Sequence, residues 1–131
     1  MAVVIDAVGV IIMSDYAVML NGGTDDIGQT ANGLEYAIDL DESGFDVELY
    51  FDGESTNWPG LLHDKPDHPV NKFYEEAHER GLIGGACSYC ANAFGGTEGC
   101  ERAGVELLGN GEHAPDVGEL AADGTQLITV G

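Results

Sequence analysis

Cys87 and Cys90 stand as Cys-Ser-Tyr-Cys, two of the three cysteines in the chain. A cysteine at the start of a helix meets backbone N–H donors that stabilise its thiolate, the form that attacks electrophilic sulfur. A second thiol three residues on can attack a mixed disulfide or persulfide formed on the first, releasing the cargo and leaving a disulfide. Cys87 is therefore the candidate nucleophile and Cys90 the candidate resolving thiol. The competing reading is packing, because a free cysteine is commonly a small buried hydrophobe.

The third thiol, Cys100, follows Thr97-Glu98-Gly99 on a short helical stretch and reads as a packed structural residue. His63, His68, His78 and His113 could complete a zinc or copper site, but no second CxxC and no closely spaced His pair supplies the usual tetrahedral set. The expectation is thus no metal and no cofactor. His113 is the most attractive single partner for Cys87, since a loop after the fourth strand can approach the thiol and an imidazolium there favours thiolate, but a plain histidine at the helix entry is the simpler reading. Asn21-Gly22-Gly23-Thr24 lacks both dinucleotide-type glycine spacing and a P-loop lysine, so it reads as a turn and cap. Trp58 either shields the thiol or buries an aromatic face, and packing is the simpler role.

These residues need elements to position them. Tyr16–Leu20 is a short apolar run closed by Asn21-Gly22-Gly23, a buried strand entering a loop. Ile27, Ala31, Leu34 and Ile38 recur at helical spacing, with aspartates capping the start and Gly44 as the stop. Phe45, Val47, Leu49 and Phe51 alternate with Asp46, Glu48 and Tyr50, predicting a strand with one buried face. The segment 54–69 carries Pro59, Pro66 and Pro69 without a sustained period and reads as a long loop. A helix from Pro69 to Arg80, a strand over Leu82–Ala86, a short helix that Thr97 caps, a strand over Val105–Leu108, a helix opened by Pro115 and a strand over Thr125–Val130 complete the pattern. Strands alternating with helices predict a single α/β domain, a three-layer, doubly wound, mainly parallel five-stranded sheet covered on both faces. In such sheets ligands sit beyond the carboxyl ends of the strands, and the CxxC immediately follows the third one.

Charge narrows the function further. The chain has 24 Asp and Glu against 4 Lys and Arg, a formal net charge of −20, which disfavours nucleic acid and anionic membrane as partners. The acids are scattered through periodic segments, as a solvated surface would be. A salt-rich cytoplasm is the simplest setting, because about 1 M salt screens such self-repulsion to a few ångströms. An odd cysteine number confined to one stretch suits a reducing, cytoplasmic compartment. The apolar start, residues 2–13, lacks a basic n-region and is shorter than the roughly 20 residues that span a bilayer. Met13 reads equally well as an initiator, which would leave residues 1–12 as an N-terminal extension ahead of a domain over 13–131.

From the strand leading into Cys87 through Gly95, Cys-Ser-Tyr-Cys-Ala-Asn-Ala-Phe-Gly resembles the Cys-x-x-Cys-x-x-x-x-Gly segment of the DsrE/DsrF-like (YchN-like, TusD-related) sulfur-relay family. The resemblance extends over about residues 15–131, through Phe51-Asp52-Gly53, Gly85-Ala86-Cys87 and the closing Ala122-Asp123-Gly124-x-x-Leu127-Ile128. It implies a five-stranded doubly wound fold, homo-oligomers such as trimers or hexamers, and sulfane sulfur carried as a persulfide on the position of Cys87. Sulfur donor and acceptor proteins or small thiols are the implied partners. Two other classes compete: a non-catalytic binding or redox-regulatory module of the same fold, and a thioredoxin-like oxidoreductase. The last is disfavoured because Trp-Cys-Gly-Pro is absent and no cis-proline signal facing the motif can be identified.

Overall fold

The apolar run Tyr16–Leu20 forms an inner strand of the main sheet, paired on both sides. The computed structural model describes residues 2–5 and 10–131. Ala2–Ile5 (β1) and Val10–Met13 (β2) pair antiparallel as a separate two-stranded sheet, with Ala2 opposite Met13. Of the expected extension over 1–12, Met1 and residues 6–9 lie outside the described residues.

The main sheet contains Tyr16–Leu20 (β3), Val47–Phe51 (β4), Ile83–Cys87 (β5), Leu107–Leu108 (β6) and Gln126–Val130 (β7), in the order β6-β5-β4-β3-β7. Every pairing is parallel, so the doubly wound α/β architecture read from the alternation is the architecture observed. The chain steps from β3 outward to β6 and then returns past β3 to β7. Right-handed crossovers in opposite directions put the connecting helices on opposite faces.

The two faces are unequally covered. Ile27–Glu42 (α1), Trp58–Asp64 (α2), Asn71–Glu79 (α3), Ser88–Phe94 (α4) and Thr97–Ala103 (α5) make up one layer, within which α1 packs on α3 and α2 on α5. Under that layer Val18, Leu20, Val47, Leu49 and Phe51 meet Leu34, Trp58, Leu62, Val70 and Cys100 in the main core. Among the helices of the described residues, the other face carries Val117–Ala122 (α6) alone, whose Leu120 packs with Leu108 against Ala17, Met19 and Tyr50.

Strand β4 departs from the expected single buried face: Tyr50 is buried, whereas Phe45 lies outside the strand and is 40% exposed. An inner parallel strand is enclosed on both sides, so alternation understates its burial. The segment read as a long loop is mostly ordered into a 3₁₀ turn, Gly53–Asn57, followed by α2. Asp52 caps the turn in a capping box with Ser55, and Pro59 sits in the first turn of α2, where a missing N–H costs nothing. Trp58 is fully buried, and its indole N–H donates to the carbonyls of Gly22 (3.2 Å) and Gly23 (3.1 Å). It therefore packs, and it anchors the Asn21–Gly23 turn to α2.

Smaller differences have local causes. Asp26 holds the cap position of α1 without a side-chain cap bond, and Gly96 rather than Thr97 precedes α5. The strand expected over Val105–Leu108 pairs only at Leu107 and Leu108, because it is the sheet edge and has one neighbour. Helices α2 and α5 cross where Gly60 faces Gly99; a methyl on Gly60 would stand 2.6 Å from the Gly99 Cα. That near-contact of backbones requires hydrogen at both positions.

Candidate functional site

Three loops at the carboxyl end of the sheet converge on one group of side chains, where a parallel sheet of this kind offers a site. Cys87 is the last residue of β5 and the cap residue of α4, so the strand fixes its position and the helix turns Cys90 back toward it. The Cys87 Sγ accepts hydrogen bonds from the backbone N–H of Cys90 and of Ala114, both at 3.4 Å. Both donors can receive negative charge on that sulfur. Cys87 is fully buried and Cys90 nearly so.

Asp52 follows β4, the strand beside β5. Its Oδ1 accepts from its neighbour Gly53 N–H at 2.9 Å and from the Cys90 thiol at 3.3 Å. Burial first, and then the Asp52 carboxylate, push the Cys90 thiol up to about 12, with the Gly53 amide acting the other way. Cys90 is thus a protonated donor at neutral pH. His113 comes from the loop after β6, and its Nε2 lies 3.2 Å and 3.3 Å from the two Asp52 carboxylate oxygens, donating to them when it carries the proton. The imidazole is 51% exposed while the Asp52 side chain is 14% exposed, so the cluster opens to solvent on the His113 side.

The loop that delivers His113 is tied to α4. Ser88 Oγ accepts from Gly111 N–H at 2.7 Å and donates to the Glu112 carbonyl at 3.4 Å. Gly109, Asn110 and Gly111 run with φ of 91°, 50° and 93°, a left-handed path that glycine and asparagine allow. The Ala114–Pro115 peptide is cis, which places a cis-proline beside the motif after all.

One ligand-capable atom from each of Asp52, Cys87, Cys90 and His113 lies within 4.8 Å of the others. Cys87 and Cys90 are brought together, and His113, for which a plain helix-entry role is the simpler expectation, joins them through Asp52 rather than through the Cys87 sulfur. Asp52 was not identified from spacing. The only signal for it was its place at the end of a strand in Phe-Asp-Gly. Cys100 stands apart in the main core, its thiol donating to the Thr56 carbonyl at 3.4 Å, and burial followed by the Glu101 charge raises it to about 11. His68 accepts from the Val70 N–H and packs edge-on against Trp58, and His78 packs against Tyr74. Neither of these nor His63 belongs to the cluster.

Beside His113 a groove of about 470 Å³ runs along the α6 face, with Glu48, Asp116, Glu119 and Asp123 in its lining. Tyr50 donates to the Glu48 carboxylate there, and burial, then that bond, raises the phenol. Four carboxylates make this groove unfavourable for an anionic ligand. Searches against known protein families, curated proteins and solved structures return no match. Among the described residues no helix is long and apolar enough to cross a membrane.

Proposed function

We propose that this chain is a sulfur carrier of the DsrE/DsrF-like kind, holding sulfane sulfur as a persulfide on Cys87. The observation that carries the reading is the Cys87 sulfur at the end of β5, with two backbone N–H donors directed at it and a second thiol within 4.8 Å. The Cys87 thiolate attacks the outer sulfur of a donor persulfide R–S–SH, forming Cys87–S–SH and releasing R–S⁻, which takes up a proton. Release proceeds by attack of an acceptor thiolate on the outer sulfur, or by attack of Cys90 thiolate on the Cys87 sulfur with loss of HS⁻ and formation of the Cys87–Cys90 disulfide. The high proton affinity of Cys90 makes that second route slow at neutral pH and suits retention of the cargo. Burial of Cys87 favours a small donor approaching on the His113 side over a broad protein face. Assembly into a homo-oligomer, trimer or hexamer, in a salt-rich cytoplasm belongs to the same reading.

The test is intact mass in high salt after exposure to an inorganic polysulfide and alkylation. A reductant-labile gain of about 32 Da per chain, the mass of one sulfur atom, is expected in the wild type and Cys90→Ser and absent in Cys87→Ser. The second reading, a non-catalytic binding or redox-regulatory module, is favoured by the burial of all three thiols. A folded wild type whose Cys87 can be alkylated but never acquires sulfur decides for it.

A further inference from the structure

We propose that Asp52, Cys87, Cys90 and His113 form a binding site for one Zn²⁺ ion, a property distinct from sulfur carriage, although both draw on Cys87, so a chain holding the ion does not hold a persulfide at the same time. Structural and catalytic zinc sites draw on thiolate, imidazole and carboxylate, with bonds of about 2.0–2.3 Å, so tetrahedral ligand atoms stand roughly 3.3–3.8 Å apart. The Asp52 oxygen is already 3.2 Å from His113 Nε2 and 3.3 Å from Cys90 Sγ. The widest separation among the four is bounded at 4.8 Å, leaving about 1 Å to close, within reach of side-chain rotation.

What distinguishes the group from a chance cluster is the set of bonds behind the ligands. In metal sites, hydrogen bonds to the ligating groups fix their orientation and are part of the site. Cys87 Sγ accepts from two backbone N–H groups, and Asp52 Oδ1 accepts from the Gly53 N–H. Cys87 ends β5 and Asp52 directly follows the adjacent β4, whose Phe51 pairs with Ala86, so the sheet sets these two ligands side by side, and the Ser88 bonds to Gly111 and Glu112 hold the loop that carries His113. The half-exposed imidazole leaves an entry path from solvent to two buried sulfurs.

Binding balances as follows. Zn²⁺ replaces the protons of both thiols, which leave to solvent, and joins two thiolates, one carboxylate and a neutral imidazole, giving a centre of net charge −1. Two soft sulfur ligands favour Zn²⁺ over Mg²⁺ or Ca²⁺, whose preferred ligands are oxygens. The acidic surface of this protein attracts any divalent cation, so the diagnostic must be one that carboxylates cannot produce.

The experiment titrates Co²⁺ into the full, reduced chain in high salt, followed by Zn²⁺. Expected is a thiolate-to-cobalt charge-transfer band with the intense visible bands of four-coordinate Co²⁺, saturating at one ion per chain and abolished by stoichiometric Zn²⁺. His113→Gln, at a half-exposed position whose replacement leaves the core intact, should weaken Co²⁺ binding by at least about tenfold. Cys87→Ser and Cys90→Ser should each lose about half of the charge-transfer intensity, and the double variant all of it. A folded, reduced wild type without that band overturns the proposal, as does His113→Gln with unchanged affinity. No sulfur donor enters the experiment, so its failure leaves the carrier reading standing, and failure of sulfur loading leaves this one standing.

Discussion

Cys100 and the Cys87–Cys90 pair are equally hidden from solvent, yet their surroundings differ in kind. Around Cys100 the neighbours are core side chains, and one carbonyl accepts a hydrogen bond from its thiol. Around Cys87 and Cys90 stand backbone N–H donors, a carboxylate and an imidazole. Burial alone therefore does not separate a structural thiol from a reactive or ligating one. The polar groups that accompany it into the interior do, because they are the ones that cost free energy to bury unless they are used.

The sharpest break of this comparison is Cys87→Ser, which should abolish donor-dependent sulfur loading outright while Cys100→Ser leaves it unchanged. Intact mass after polysulfide treatment reads both. If Cys100→Ser also loses loading, the division between the two regions is wrong.

The Cys100 side should fail structurally instead. Gly99→Ala puts a methyl into the backbone crossing of α5 on α2, 2.9 Å from the Gly60 Cα, and should destabilise the fold by about 1–3 kcal/mol. Cys100→Ala, which removes a buried sulfur and its hydrogen bond to the Thr56 carbonyl, should lose about 1–2 kcal/mol. Denaturant melts at constant salt measure each. Sulfur loading of the folded fraction should remain intact in both variants.

Tyr74 offers the finest discrimination. Its hydroxyl is buried without a hydrogen-bond partner, against the same core as Cys100. Burial foremost, and then the Cys100 charge, raise it to about 12, as burial raises Cys100 to about 11. Both groups are therefore neutral in the fold and ionise more readily in the unfolded chain. Their contribution is whole below the unfolded values of 9 for the thiol and 10 for the phenol, and it is lost as pH rises through about 11 and 12. Tyr74→Phe should gain up to about 1 kcal/mol at neutral pH by removing an unsatisfied hydroxyl, and should flatten the loss between pH 10 and 12. Stability against pH, for wild type and variant side by side, checks the sign. A steeper alkaline loss in Tyr74→Phe would contradict it.

The surface common to both regions sets the conditions for all of these measurements. Arg80 bridges Asp41, Glu42 and Glu76, and Arg102 reaches Asp64, but cations are far too few to neutralise the acids. Lowering salt from about 1 M to about 0.1 M lengthens screening from roughly 3 Å to roughly 10 Å, and the melting temperature should fall in step.

Local pattern is enough for the alternation of strands and helices, for a buried strand at Tyr16–Leu20 and for the placement of Cys87 at a strand end. Each of these follows from periodicity and punctuation within a few residues, which is the range over which a linear pattern carries information. The acid excess is stated directly by composition. Tertiary packing settles that Tyr50 is buried on the second face, that Pro59 lies in the first turn of a helix rather than in a loop, and that a cis-proline lies beside the thiols. Above all it settles that Asp52 and His113, 61 residues apart, meet at one carboxylate beside two sulfurs. The metal-ligand spacing expected of a local motif was absent because the ligands come from three successive strand ends, and adjacent parallel strands bring together side chains that a crossover separates widely in the chain.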